Sequence, residues 1–248
     1  MTPIEVYKEL PRTNCGKCPA GTCMSFAVQF LRRTVSLSDC PGLDEESAEK
    51  IRSMLPDTGD WKEKRLEELF REVSAMDFPD IAKRAGAECR DDLLRIRYMG
   101  RDIALGRSGF EDEMDILDKL LIMMYLKNRG TASPSGKWVA FRDLKDGLIR
   151  AESFHGACEI PIAKMLQHDT ERLLKRLSAM GAERAGGFSA DYSLVVYPLP
   201  RIPFLVLLWR GDEEFGAECK LLTDSTAADF LDVEALLYLG MALVRALK

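Results

Sequence analysis

The chain of 248 residues contains 46% hydrophobic and 30% charged residues, an ordinary balance that allows a sizeable packed core. Its formal net charge of -5 argues against nucleic acid as the main partner, because no domain-scale basic surface is present to neutralise phosphates. We expect no secretory signal peptide and no membrane span, since the longest apolar runs, residues 120–126 and 202–209, are far shorter than a bilayer requires.

A cysteine-rich segment follows a short helix predicted over residues 3–10. Four thiols stand there at a C-x2-C-x4-C-x16-C spacing: Cys15, Cys18, Cys23 and Cys40. Four soft thiolates suit either an iron–sulfur cluster or a structural zinc ion. The spacing favours the cluster, because three of the cysteines share one tight loop and the remote fourth precedes Pro41. A zinc knuckle and a disulfide remain the less favoured alternatives.

The same segment resembles the four-cysteine module of the corrinoid iron–sulfur protein large subunit and of the B subunit of the Rnf electron-transport complex. The matching residues are Leu10-Pro11, Asn14-Cys15, Cys18, Gly21-Thr22-Cys23, Phe26-Ala27 and Asp39-Cys40-Pro41. In that family the four cysteines bind one [4Fe-4S] cluster that passes single electrons. The resemblance therefore implies this cluster and these ligands: Cys15, Cys18, Cys23 and Cys40. Pro19, in a loop that is often richer in glycine, removes only one possible N–H donor to sulfur.

A helix predicted over residues 23–33 begins at Cys23, whose thiolate would lie at the positive end of the helix dipole. Apolar side chains on one side of this helix could cover a cluster from water: Phe26, Ala27 and Phe30.

A further helix is predicted over residues 44–55, and the breaker residues 56–60 follow it. We therefore predict two domains, a cluster module over residues 1–55 and a larger domain over residues 60–248.

The larger domain mixes helices with antiparallel hairpins. Helices are predicted over residues 61–76, 111–128, 160–181 and 226–247. Strands are predicted over residues 92–98, 101–105, 137–141, 192–197, 202–209 and 217–222. Because no βαβ alternation is present, the fold class is α+β: a small helical iron–sulfur module followed by a larger domain of mixed helices and antiparallel hairpins.

From about Asp60 onward the chain resembles a prokaryotic family that is named only as a domain of unknown function and is often fused behind such a module. The residues that carry this resemblance are Gly136-Lys137-Trp138, Phe141-Arg142-Asp143-Leu144, Pro203 and Trp209-Arg210-Gly211-Asp212-Glu213-Glu214-Phe215. The resemblance implies no activity.

Several residues of the larger domain are candidates for a second site. His155 is predicted outside any helix, where it could be a base or ligand but is more often a turn residue. Asp212, Glu213 and Glu214 could bind a cation or form a charged turn. Aromatic and basic side chains near strand ends could frame a ligand pocket or, as we prefer, a protein-docking surface: Trp138, Phe141, Arg142, Arg201 and Trp209.

The complete four-cysteine shell leaves no open iron position for a substrate, so we expect electron transfer rather than catalysis. The resemblance suggests a cytoplasmic protein of anaerobic metabolism, acting in low-potential electron transfer or as a redox accessory to a metallocofactor enzyme such as a corrinoid protein. Its partner would be a redox protein or metalloenzyme. Two alternatives stay open: an enzyme whose C-terminal domain binds a small molecule beside the cluster, and a scaffold with a purely structural metal site.

Overall fold

The computed structural model describes residues 2–31, 34–54, 60–128, 130–212 and 214–248. The chain forms two compact units, Met1–Glu63 and Lys64–Lys248. Most of the predicted breaker segment, residues 56–59, lies outside the described residues, as do Arg32 and Arg33. Within the described residues, no helix is both long and apolar enough to cross a lipid bilayer.

The first unit is helical. Its helices are α1 (Pro3–Glu9), α2 (Cys23–Leu31) and α3 (Glu45–Met54). Thr2 and Glu5 fix the start of α1 with a reciprocal capping box, in which each side chain accepts the backbone N–H of the other residue. A small core joins the helices: Val6, Leu10, Cys23, Phe26, Ala27, Cys40 and Ile51. The helices predicted for this segment are confirmed to within two residues at the ends that are described.

The second unit contains the strands and the remaining helices of the described residues, except that the first turn of α4 precedes the boundary at Lys64. Its helices are α4 (Asp60–Ser74), α5 (Phe78–Ala85), α6 (Ile116–Lys127), α7 (Gly147–Phe154), α8 (Ile160–His168), α9 (Thr170–Ala179) and α10 (Val233–Leu247). Its strands are β1 (Glu88–Arg90), β2 (Leu93–Tyr98), β3 (Arg101–Gly106), β4 (Gly109–Phe110), β5 (Trp138–Ala140), β6 (Glu183–Arg184), β7 (Tyr192–Leu199), β8 (Ile202–Trp209) and β9 (Glu218–Asp224).

Two antiparallel sheets organise this unit. One has the order β1-β2-β3-β4 and the other the order β5-β9-β8-β7-β6. The apolar β8 is central to the second sheet and is buried along nearly its whole length, as expected for a strand covered on both faces. Helix α10 packs against α6, α7, α8 and α9 and buries most of its side chains. The predicted α+β class is confirmed.

Two helices begin later than predicted and a third is divided into two, and in each case an aspartate that caps the observed helix explains the difference. The helix predicted from residue 111 begins only at Ile116, because Asp115 caps it by accepting the N–H of Leu117. The helix predicted from residue 226 begins at Val233 behind the cap Asp232. The helix predicted over residues 160–181 is divided at Asp169, which accepts the N–H of Arg172 and starts α9.

Each unit has an apolar core of its own residues. The buried core of the second unit runs from Leu69 to Leu247 and includes fully buried Phe78, Phe154 and Phe204. We therefore expect residues 60–248, which include the whole of α4, to fold as an isolated fragment without iron, because burial of this apolar surface does not depend on a metal.

Far-UV circular dichroism and a cooperative urea transition of the iron-free fragment would test this expectation. A fragment that binds hydrophobic dyes and unfolds without cooperativity would contradict it.

Candidate metal centre

The four cysteines of the N-terminal motif line one pocket in the first unit, together with Leu10, Pro11, Asn14 and Phe26 among other residues. Their exposure is graded. Cys15 is exposed and Cys18 is partly buried, whereas Cys23 and Cys40 keep only 8% and 9% of their surface accessible to solvent. The pocket thus has one solvent-exposed edge, at Cys15, and an apolar interior.

Helix α2 positions Cys23. The helix begins at this residue, and its backbone N–H donates to Oδ1 of Asn14 at 2.9 Å. Thr22 Oγ1 accepts the N–H of Ser25 at 3.2 Å. These two side chains satisfy donors at the start of the helix that would otherwise lack partners, and they tie the cysteine loop to α2. The Cys23 thiol consequently lies where the helix dipole favours negative charge.

The loop between Cys15 and Cys23 is built from tight turns. Gly16 and Gly21 adopt φ angles of +69° and +73°, a region that side chains disfavour. The N–H of Gly21 donates to the carbonyl of Cys18 at 3.2 Å, so it holds the turn together. The N–H of Lys17 donates to the thiol of Cys15. It is the main reason that the pKa of Cys15 is lowered, with a smaller contribution from the Thr13 side chain.

Cys40 directly follows a separate turn. Residues Leu37–Asp39 form one turn of 3₁₀ helix, and the N–H of Cys40 donates to the carbonyl of Leu37 at 3.2 Å. Asp39 fixes the start of this turn by accepting the N–H of Ser36 at 2.8 Å. The remote fourth cysteine therefore has its own local support and reaches the pocket wall from outside the loop.

The side chains of the pocket that suit a soft metal are all thiols. Among the described residues, its lining contains four thiols and no histidine, carboxylate or amine. Within the part of the chain that the structure describes, no three histidine, cysteine, aspartate or glutamate side chains are gathered closely enough to hold a metal ion. The cysteines instead surround a space, and this all-thiol wall suits the soft irons of a cluster.

Only one of the three apolar side chains expected to cover a cluster contributes to the pocket lining. Phe26 lies in the wall, whereas Ala27 and Phe30 pack elsewhere in the core of the first unit. The roles of Asn14 and of the Lys17 N–H were not predicted. The position of Asn14 directly before Cys15 was the available signal, because a short amide side chain often satisfies nearby backbone groups.

The aromatic and basic candidates of the larger domain do not form one site. Trp138 pairs with Asp224 at one end of β9, and Trp209 pairs with Glu218 at the other, about 20 Å away. Arg201 lies at the turn between β7 and β8, where its backbone N–H donates to the hydroxyl of Tyr125 at 3.1 Å. Phe141 is buried and stacks on Phe154, so its predicted place on a docking surface is wrong, whereas Arg142 is exposed in the next turn. Within the described residues, Trp138, Arg201 and Trp209 are therefore placed separately.

The acidic run after β8 forms a turn. Asp212 Oδ1 accepts the backbone N–H groups of Glu214 and Phe215, both at 2.8 Å, and these bonds lower the pKa of Asp212. Its carboxylate is therefore engaged by the backbone. Glu213 lies outside the described residues.

His155 is not outside a helix, and that prediction is wrong. It opens a π-helical turn, His155–Glu159, which continues α7 into α8. Its Nδ1 lies 2.6 Å from Oε2 of Glu159, a residue that the sequence did not suggest as part of a site.

Comparison with known families divides the chain in two. The family described as "Domain of unknown function (DUF3786)" matches residues 77–246. The family described as "Putative Fe-S cluster" matches residues 10–41, the segment that holds the four cysteines. The predicted resemblance to a domain-of-unknown-function family is confirmed, and the second match supports an iron–sulfur cofactor in the N-terminal segment.

Curated relatives match the N-terminal part of the chain. Subunit gamma of the acetyl-CoA decarbonylase/synthase complex is 42% identical over 55 residues in Methanothermobacter thermautotrophicus and 44% identical over 84 residues in Archaeoglobus fulgidus. These matches cover 22% and 33% of this chain and 12% and 15% of the relatives.

The corrinoid/iron-sulfur protein large subunit of Moorella thermoacetica is 37% identical over 51 residues, covering 21% of this chain and 11% of that protein. The predicted resemblance to that large subunit is thus confirmed. The matches span less than a sixth of each of these relatives. No solved structure matches the chain.

Proposed function

Because the chain belongs to the family described as a domain of unknown function (DUF3786), whose description assigns no activity, we propose its function from the cysteine module. The protein binds an iron–sulfur cluster and acts in low-potential one-electron transfer, or as a redox accessory to a metalloenzyme. The observation that carries this proposal is the convergence of four cysteines, from two separate backbone segments, on one pocket.

The proposed cofactor is a [4Fe-4S] cluster with four cysteine ligands: Cys15, Cys18, Cys23 and Cys40. When bound, it accepts or donates a single electron. The protein holds the ligands in place through the capped start of α2 and the turn before Cys40. The N–H of Lys17 stabilises negative charge on the Cys15 sulfur, which favours the thiolate needed for ligation.

The exposure of the ligands supports an electron-transfer role. Cys23 and Cys40 lie in an apolar core that keeps water from the inner side of the pocket. Cys15 lies at the surface and offers a short path to a docked partner. Arg12 and Lys17 are exposed in the same loop, so the partner surface that fits this edge is acidic.

The partner that we propose is a metalloenzyme, of which a corrinoid protein is one example. The names of the relatives describe a subunit of the acetyl-CoA decarbonylase/synthase complex and a corrinoid/iron-sulfur protein large subunit, which motivates this choice. Reduced thiols also require a reducing compartment, and we propose the cytoplasm.

Anaerobic reconstitution followed by redox titration tests the function. We expect about four iron and four sulfide per chain, and a reduced state with an electron paramagnetic resonance signal that appears and disappears reversibly. Zinc without sulfide would contradict the cofactor. A cluster that forms but cannot be reduced would contradict electron transfer and leave the structural-scaffold alternative.

A further inference from the structure

Helices α7 and α8 are joined by the π-helical turn His155–Glu159, in which the N–H of Ile160 donates to the carbonyl of His155 five residues earlier. Pro161 explains the turn, because proline has no N–H for an α-helical bond and its ring would crowd the carbonyl four residues back. Such single turns cost regular hydrogen bonding and are frequent at functional sites. This turn brings Glu159 beneath the exposed ring of His155.

Glu159 is almost completely buried, with 7% of its side chain exposed, and both of its oxygens have partners. Oε1 accepts the backbone N–H of Leu221 at 3.1 Å. Oε2 accepts a hydrogen bond from Nζ of Lys220 at 3.0 Å and lies 2.6 Å from Nδ1 of His155. With a lysine ammonium group and a backbone N–H donating to it, the Glu159 carboxylate is the acceptor in these contacts.

The contacts of Glu159 indicate the tautomer of His155. Because the carboxylate already accepts from Lys220 and Leu221, we assign Nδ1 of His155 as the donor in the 2.6 Å contact. In the neutral imidazole, Nε2 then carries the lone pair. The His155 side chain is 46% exposed, so this nitrogen is available to a ligand as a hydrogen-bond acceptor.

A pocket with a volume of about 420 Å³ lies beside the ring, within the size range of small-molecule sites. Ile160, Ala163 and Ala217 provide an apolar wall. The charge of Lys220 is already paired with Glu159, whereas no hydrogen bond or ion pair engages Lys164 within the described residues. Among the lining residues that the structure describes, Lys164 therefore supplies an unpaired cation, and Glu218 adds an exposed carboxylate to the same lining.

We propose that this pocket is a second ligand-binding site, which takes a small anionic molecule that also carries a hydroxyl or N–H group. The anionic group binds Lys164, and the hydroxyl or N–H group donates to Nε2 of His155. Glu218 repels an anion that approaches its own carboxylate, so it weakens rather than strengthens anion binding. This inference is independent of the iron–sulfur cluster.

Nitrogen NMR of the two imidazoles in the full-length protein tests the first step. At a pH where the rings are neutral, we expect His155 to carry its proton on Nδ1. His168, at the exposed end of α8, provides the second signal, and His168→Gln assigns the spectrum. A proton on Nε2 of His155 would overturn the proposal.

Titration with inorganic phosphate tests binding, because phosphate near neutral pH has both anionic oxygens and an O–H donor. We expect saturable shifts of the His155 ring signals, with none at His168. Sulfate has no O–H group and should bind at least about fivefold more weakly, since a site built to accept a hydrogen bond discriminates against a ligand that lacks the donor.

Charge variants provide controls of opposite sign. Lys164→Gln should weaken phosphate binding at least about fivefold, and Glu218→Gln should strengthen it. Lys175→Gln, which removes an exposed lysine of α9, should leave the affinity unchanged. Shifts that do not saturate, equal binding of phosphate and sulfate, or equal effects of the two lysine variants would overturn the proposal.

Discussion

Replacement of Cys23 by alanine is expected to abolish cluster assembly, whereas replacement of Cys89 by alanine is expected to leave it intact. Cys23 is buried at the start of α2 and lines the pocket, so neither water nor another side chain can take the place of its thiolate. Cys89 is a partly buried thiol of β1 in the second unit. Iron and sulfide content, together with the visible absorption of the reconstituted variants, measures the difference.

The exposed ligand offers an internal comparison. In Cys15→Ser, the serine hydroxyl or a water molecule at this solvent-exposed edge can take the place of the missing thiolate ligand. We therefore expect this variant to retain part of its iron with an altered spectrum, while Cys23→Ala retains none. Full iron content in Cys23→Ala, or loss of iron in Cys89→Ala, would contradict the ligand assignment.

Asp224→Ala is expected to destabilise the larger unit by about 3 kcal/mol or more. Asp224 is fully buried at the end of β9 and accepts five hydrogen bonds. Four come from the backbone N–H and side-chain hydroxyl groups of Ser135 and Thr226, and the fifth from the N–H of Gly136 at 2.6 Å. Removal of the carboxylate takes from these five donors the one buried acceptor that they share and that ties residues 135–136 to the end of β9.

The midpoint of urea unfolding measures this effect, and Asp229→Ala is the matched control. Asp229 is an exposed aspartate in the same segment, and its replacement should change the stability by less than about 0.5 kcal/mol. Similar midpoints for the two variants would show that the hydrogen bonds of Asp224 contribute little.

Asp224 also predicts a dependence of stability on pH. Burial alone would raise its pKa, but the hydrogen bonds from Thr226 and Ser135 outweigh burial and hold the pKa below its usual value. A carboxyl whose pKa is lowered by folding stabilises the protein above the unfolded pKa, about 3.9, and this stability is lost as the pH falls through the folded pKa. Asp224→Asn should therefore flatten the acid side of the stability curve.

The candidate site was predictable where its chemistry is local in sequence. Cysteine spacing identifies a thiol-rich centre because three ligands share one loop. The bond from Cys23 to Asn14 and the approach of the Lys17 N–H to Cys15 depend on the folded path of that loop, so spacing alone could not give them. The pocket at His155 was missed because one wall of it comes from residues 217–220, at the start of β9, which are distant in sequence from His155.

In the fold, likewise, features set by neighbouring residues were predicted, and features set by residues far apart in the sequence were not. The hairpin through Met99 and Gly100 was predicted correctly, because a two-residue turn between strands is encoded by adjacent residues. The start of α6 was placed too early, since Glu111, Glu113 and Asp115 all suit a first turn and only the folded chain selects the cap. The partner of β5 could not be predicted, because β9 lies far along the sequence.

The pairing of β5 with β9 has a consequence for synthesis on the ribosome. Ser135 and Asp224, which bond at the end of this pairing, are separated by 89 residues, whereas the core of the first unit is complete by Ile51. The cysteine module can therefore reach its folded form, and accept iron and sulfide, while most of the second unit is still being translated. The backbone of β5 stays without its strand partner until β9 has been synthesised, so the second sheet is completed only when nearly the whole chain is available.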